Sequence, residues 1–225
     1  MASFKGKKEP LSQKAYRTIK NMILNHELSQ GEFISEADLQ EKLCIGRTPV
    51  REAVLQLSQD QLIRIHPRKG IEVARISPKT IRDIFEIRSI LEPIALRKGI
   101  DKLDKTWLRD IRDQFVRYNG DDIESISKED AIHLADLDNQ FHIGLIRVMG
   151  NRYADNLMQG FVDFLVLIRS TVTTSDIPRF QDSNKEHIEI IDFILAGDVE
   201  QACQKLSEHI RISYNEAIRT ILDIL

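Results

Sequence analysis

The chain has 225 residues, 42% of them hydrophobic and 30% charged, with a formal net charge of −3. That length supports one large domain or two small ones with a sizeable core, and the composition excludes a disordered, fibrous or disulfide-stapled chain. No run of about 18 apolar residues offers a membrane span.

The N-terminal MASFKGKKEP carries lysines but no apolar stretch behind them, so it does not read as a secretory signal. Cys44 and Cys203 stand far apart with no CxxC, which fits a reduced, cytoplasmic setting. The charge is uneven: residues 1–75 hold 13 Lys and Arg against 9 Asp and Glu, whereas 76–225 hold 19 against 26. A basic head suited to a polyanion thus precedes an acidic body with another task.

In chain order, a basic tail (1–10) leads into LSQKAYRTIKNMIL (11–24), whose Ala15, Ile19, Met22 and Ile23 share one helical side. SEADLQEKL (35–43) opens on Ser-x-x-Asp, a capping-box pattern with Asp in place of the usual Glu or Gln, and predicts a second helix. After the tight turn CIG comes GRTPVREAVLQL. Thr48 suits the N-cap, Pro49 the first helical position, and Val50, Ala53, Val54 and Leu57 form the buried stripe of a third helix running to about Asp60. Two β-prone runs, 62–65 and 71–74, flank the basic turn HPRKG and predict a hairpin. Helix, helix, turn, helix, hairpin is the outline of a winged helix-turn-helix over residues 11–75.

Arg47 and Arg51 flank the first turn of the third helix. That end is electropositive, so two cations there cost stability, by roughly 0.3–1 kcal/mol each. They make sense against a phosphate backbone, where free N–H groups attract the anion and guanidiniums add paired donors to phosphate or guanine. Arg68 and Lys69 on the hairpin tip can reach a neighbouring groove. The plainer reading has both arginines as solvated charges pairing with Glu52 or Glu41.

ISEADLQEKLCIGRTPVREAVLQLSQDQLIRIHPRKGIEV resembles the winged-helix head of GntR-type bacterial transcription regulators. The resemblance implies binding to a double-stranded, inverted-repeat DNA operator by a homodimer. Arg47 and Arg51 would contact bases and phosphates, Thr48 the backbone, and Gly70 would form the wing tip. The sequence departs from the family in three places. Gly46 stands where Ser is usual, Gln61 where Gly precedes the LI strand, and Glu27 at another frequent Gly.

From Pro78 onward the pattern predicts six helices (about 78–98, 104–119, 127–149, 151–173, 181–196 and 198–223) joined by short breaks, hence an antiparallel bundle and a mainly α protein. Asp138 and His142 lie four residues apart on a face continued by Leu145 and Met149. His187 aligns with Ile190, Ile191 and Ile194, and His209 with Ala202, Leu206 and Ser213. Each histidine alone fits a hydrogen-bonded core residue. Three imidazoles and a carboxylate together are the donors a divalent transition metal takes, although spacing does not show whether they converge. His26, His66 and His133 lie off these stripes. Arg88 falls in line with Ile81, Ile84, Leu91 and Ala95, either paired with Glu92 or facing an anion inside the bundle.

Residues 78–223 resemble the FCD effector domain of the FadR subgroup. The shared pattern is Asp138…Phe141-His142, Gly150-Asn151 and His187…Gly197-Asp198…His209, and six helices fit the VanR-like variant. The resemblance implies Asp138, His142, His187 and His209 as ligands of zinc, nickel or manganese, with open positions for water or a small effector carboxylate. It implies Arg88 as the effector anchor; Asn184 and Arg169 are further candidates for lining the pocket. Residues 76–225 thus form the expected effector, metal-binding and dimerisation domain. The competing readings are a metal-sensing regulator, a structural metal, and a metal-dependent hydrolase. The last lacks any HExxH, nucleophile–base pair or phosphate loop, and the expectation is a regulator, not an enzyme.

Overall fold

The computed structural model describes residues 9–119, 127–173 and 177–224, and the chain divides into two compact units, Met1–Arg75 and Ile76–Leu225. The basic tail lies, apart from Glu9 and Pro10, outside the described residues, as does all but Asn119 of the expected break NGDDIES. The protein is mainly α-helical.

The first unit runs α1 (Leu11–Leu24), β1 (Phe33–Ile34), α2 (Glu36–Leu43), α3 (Arg47–Gln59), β2 (Ile63–His66) and β3 (Gly70–Val73). Ala15, Ile19 and Ile23 of α1 are buried, as is the whole Val50/Ala53/Val54/Leu57 stripe of α3, and the two helices pack together. The capping box forms: Asp38 N donates to Ser35 Oγ at 3.1 Å and Ser35 N to Asp38 Oδ2 at 3.0 Å. The hairpin carries a strand the sequence reading did not foresee. β1 pairs antiparallel with β3, giving a three-stranded sheet of order β1-β3-β2. With two residues, β1 is too short to show an alternating pattern.

All three helices of this unit end the same way. The N–H groups of His26 and Glu27 bond to Ile23 O and Met22 O, those of Cys44 and Ile45 to Glu41 O and Gln40 O, and those of Gln61 and Leu62 to Ser58 O and Leu57 O. This is the Schellman closure, which needs one left-handed residue, usually glycine. Here that residue is His26 (φ +58°), Cys44 (φ +51°) or Gln61 (φ +61°). Gln61, where the sequence reading expected a family glycine, is in the left-handed region; Glu27 is not, and its neighbour His26 is.

The second unit contains α4 (Pro78–Gly99), a 3-10 turn (Ile100–Lys102), α5 (Lys105–Arg117), α6 (Lys128–Arg147), α7 (Arg152–Thr173), α8 (Ile177–Ala196) and α9 (Val199–Ile224). α8 starts earlier than the expected 181, because Pro178 in its first turn has no N–H to leave unpaired. The two Gly-Asx breaks are helix punctuation. Gly150 and Gly197 take left-handed φ values of +64° and +78°, while the side chains of Asn151 and Asp198 accept from the first-turn N–H groups of α7 and α9. α4 packs on α9, α6 on α7, and α8 on both α5 and α9. Among the described residues no helix is long and apolar enough to cross a membrane.

Candidate nucleic-acid interface and metal centre

The N-cap of α3 is Gly46, in extended conformation, rather than Thr48; Arg47 and Thr48 are the first two helical residues and Pro49 the third. The helix starts early because Gly46 O already accepts from Val50 N at 3.3 Å. No side chain caps this end, so the first-turn N–H groups of Arg47 and Thr48 have no intrahelical acceptor. Arg47, Thr48 and Arg51 are exposed, and neither arginine forms an ion pair among the described residues. The alternative pairing with Glu41 or Glu52 is not made among the described residues. On the wing, Pro67, Arg68 and Lys69 are exposed between β2 and β3. Gly70 has φ +101°, and a Cβ there would lie 2.9 Å from Ile34 O, so the turn has room only for glycine.

In the helical unit, Asp138 and His142 from α6, His187 from α8 and His209 from α9 converge, with ligand atoms all within 4.8 Å of one another. All four are buried. His187 Nε2 lies 3.3 Å from His142 Nε2 and 3.2 Å from Asp138 Oδ1. Phe115 stacks on His187, and Phe141 sets its edge against both His142 and His187, which gives the cluster one aromatic wall.

Each imidazole is held by its other nitrogen. His142 Nδ1 donates to Glu92 at 2.5 Å, His187 Nδ1 to Ser183 O at 2.7 Å, and His209 Nδ1 to Glu186 at 2.7 Å. Such outward bonds fix the tautomer and aim Nε2 inward. In the neutral rings those Nε2 atoms are bare, so the 3.3 Å contact sets two lone pairs face to face. A cation suits that donor set.

The titration shifts agree. Burial pushes the His187 imidazole down against the pull of Asp138, and burial together with the neighbouring His187 pushes His209 to about 3. Burial alone would raise the three carboxyls. Instead Arg169 and the histidines hold Asp138 well below its ordinary value, Arg88 and His142 hold Glu92 at about 2, and His209 and Arg179 hold Glu186 at about 2. The shifts favour neutral imidazoles at His187 and His209 and ionised carboxylates beside them, the protonation state in which these groups ligate metals.

A cavity adjoins the cluster, lined by Asp138 and His209, by Arg88, Arg169 and Arg179, and by an apolar wall that includes Phe85, Leu165 and Ile168. Arg88 makes the pair with Glu92 at 2.6 Å, yet its buried Nη2 has no hydrogen-bond partner. Arg88 thus forms the Glu92 pair and keeps one guanidinium nitrogen over. Arg169 Nη1 donates to Asp138 Oδ1 at 2.7 Å. Asn184 is fully buried but is not among the cavity's lining residues; its Nδ2 donates to Tyr118 O at 3.4 Å. Glu186, Arg179 and Ser183 were not singled out from the sequence, although Glu186 sits directly beside His187.

The sequence profile of the FCD domain matches residues 83–212, and that of the gntR family of bacterial regulatory proteins matches residues 11–73. The chain belongs to the FCD-containing GntR family. Its relatives include an HTH-type transcriptional regulator from an unstable DNA locus of Streptomyces ambofaciens, 28% identical over 91% of this chain and 84% of that protein. The regulator YdhC of Bacillus subtilis is 28% identical over 90% of this chain and 89% of its own. A GntR regulator from Rhodococcus sp. RHA1 shares the fold, with a TM-score of 0.76 at 21% identity, covering 92% of this chain and 96% of that one. The Zn2+-bound FCD domain of another transcriptional regulator is 27% identical with a TM-score of 0.51, covering 65% of this chain and 96% of that domain. This GntR/FCD protein is accordingly a DNA-binding transcriptional regulator, and its families are families of regulators, not enzymes.

Proposed function

We propose that this regulator's operator affinity is controlled by a small organic acid bound beside a divalent transition metal in the helical unit. One observation carries the reading: a buried, pre-oriented Asp/His3 set opens onto a cavity where the guanidinium of Arg88 has a nitrogen with nothing to bond. Asp138, His142, His187 and His209 would hold zinc, nickel or manganese, the ion serving as an electrophilic anchor for an anion. Arg88 offers a carboxylate its spare N–H, while Phe85, Leu165 and Ile168 select a short carbon skeleton. Arg169 keeps Asp138 ionised and oriented.

In the head, Arg47, Thr48 and Arg51 enter the major groove, and Arg68, Lys69 and the Gly70 turn reach the flanking groove or phosphates. Two copies of the chain would place two heads on an inverted repeat. The acid acts only through unequal affinity for the DNA-competent and DNA-incompetent states of the dimer. The test has two stages: elemental analysis of the purified protein, then a thermal-shift screen of small carboxylates against the metal-loaded form, with fluorescence anisotropy on operator DNA for each hit. A metal-loaded protein stabilised by an acid that also shifts operator binding supports the reading. A chain that refuses every metal overturns it, and operator binding that follows the ion alone favours a metal sensor instead.

A further inference from the structure

The three arginines of the cavity share one relation. Each is bonded to a carboxylate that either belongs to the Asp/His3 set or holds one of its histidines. Arg169 bonds Asp138 itself, Arg88 bonds Glu92, which holds His142, and Arg179 grips Glu186 through two nitrogens at 2.7 and 3.1 Å, with Glu186 holding His209. The three links differ in reach. Arg88 is 3% exposed and its guanidinium lies over the Phe85 ring, so it is locked in place. The Arg179 and Glu186 side chains keep 13% and 23% of their surface, and Arg179 lines the cavity itself.

We propose that Arg179 is a positioning residue that restrains the metal centre through Glu186 and His209. The inference rests on the metal reading above. A carboxylate shared with a bidentate guanidinium has less charge to give the Nδ1–H it accepts, and an imidazole whose Nδ1 partner is weakened is a poorer ligand at Nε2. Freed of Arg179, Glu186 becomes the stronger acceptor, and His209 the better ligand. An anionic group that takes Arg179 for itself inside the cavity does the same thing, so anion and ion tighten each other. By linkage the effect runs equally in both directions.

The experiment titrates Zn2+ into the metal-stripped full-length protein against a chelating dye, for wild type, R179Q, R179K, E186Q and the R179Q/E186Q double variant. E186Q weakens Zn2+ by about tenfold, the scale of an outer-shell loss. R179Q moves the opposite way and tightens it several-fold. R179K, which keeps the charge, stays near wild type. In the E186Q background the R179Q step disappears, because the residue acts through its neighbour. A role in packing alone would weaken the site in both single variants, and that result overturns the proposal, as does an R179Q shift of equal size in both backgrounds. A wild-type protein that binds no Zn2+ overturns the metal reading itself, which is a separate outcome.

Discussion

His142 and His187 present their Nε2 atoms to each other across 3.3 Å, with each ring's Nδ1 already committed to an acceptor on the far side. The two lone pairs have no shared proton to reconcile them. Removing one should therefore ruin the site. His187→Ala is expected to abolish bound metal in elemental analysis and to leave operator binding by the metal-free protein measurable. Metal content equal to wild type would falsify the assignment of His187 as a ligand.

Acid should open the cluster in two stages. Well above pH 6.5 His187 and His209 are neutral in both folded and unfolded chains, so they add no slope. Below it the unfolded chain takes up protons that His187 and His209 refuse, since both are held below their ordinary 6.5, His209 at about 3. Stability then falls as pH falls, by about 2 kcal/mol between pH 6.5 and 5 for His209 alone. Glu92 and Glu186, held at about 2 against an ordinary 4.5, extend the loss in the same direction at lower pH. Denaturant unfolding of the metal-free protein followed by circular dichroism at pH 7, 6 and 5 checks the first stage; a flat profile contradicts it.

At the other end of the chain, Arg51→Ala is expected to weaken operator binding by about 1–3 kcal/mol and to lower the slope of log K against log salt by about 1. Anisotropy titrations at several salt concentrations measure both. An unchanged affinity means that α3 is not the helix that reads the groove.

Gln61 offers a stability test that touches neither site. It sits at the left-handed position closing α3, at a cost of about 1–2 kcal/mol for a side chain with a Cβ. Gln61→Gly removes that cost and returns part of it through the greater freedom of the unfolded chain, for a net gain of about 0.5–1 kcal/mol. Chemical denaturation of the two proteins decides the sign. A loss of stability shows that the Gln61 side chain contributes more than its backbone costs.

How much of this was legible in the sequence follows from the range over which each relation acts. The capping box of Ser35 and Asp38, the α3 stripe and the Asp138/His142 pair are three- or four-residue relations, and helical periodicity exposes them directly. The convergence of α6, α8 and α9 is tertiary, and only the resemblance to FCD domains brought His142, His187 and His209 to one point. The groups that orient the ligands were harder still. Glu92 reads as the i,i+4 partner of Arg88, which it is, but its second bond goes to a histidine 50 positions away. Glu186 reaches His209 across 23 positions, so no spacing rule could mark it. Asn184 shows the same limit, for its buried Oδ1 has no hydrogen-bond partner and spacing cannot say what its amide faces. Its Nδ2 donates to a backbone carbonyl of Tyr118, 66 positions away.

The seat beneath the wing constrains how this head can diversify. With the Ile34 carbonyl 2.9 Å from where a methyl on Gly70 would stand, the base of that turn cannot be rebuilt without dislodging strand β1. Variation at the wing is therefore confined to what Pro67, Arg68 and Lys69 carry outward while the main chain stays as it is.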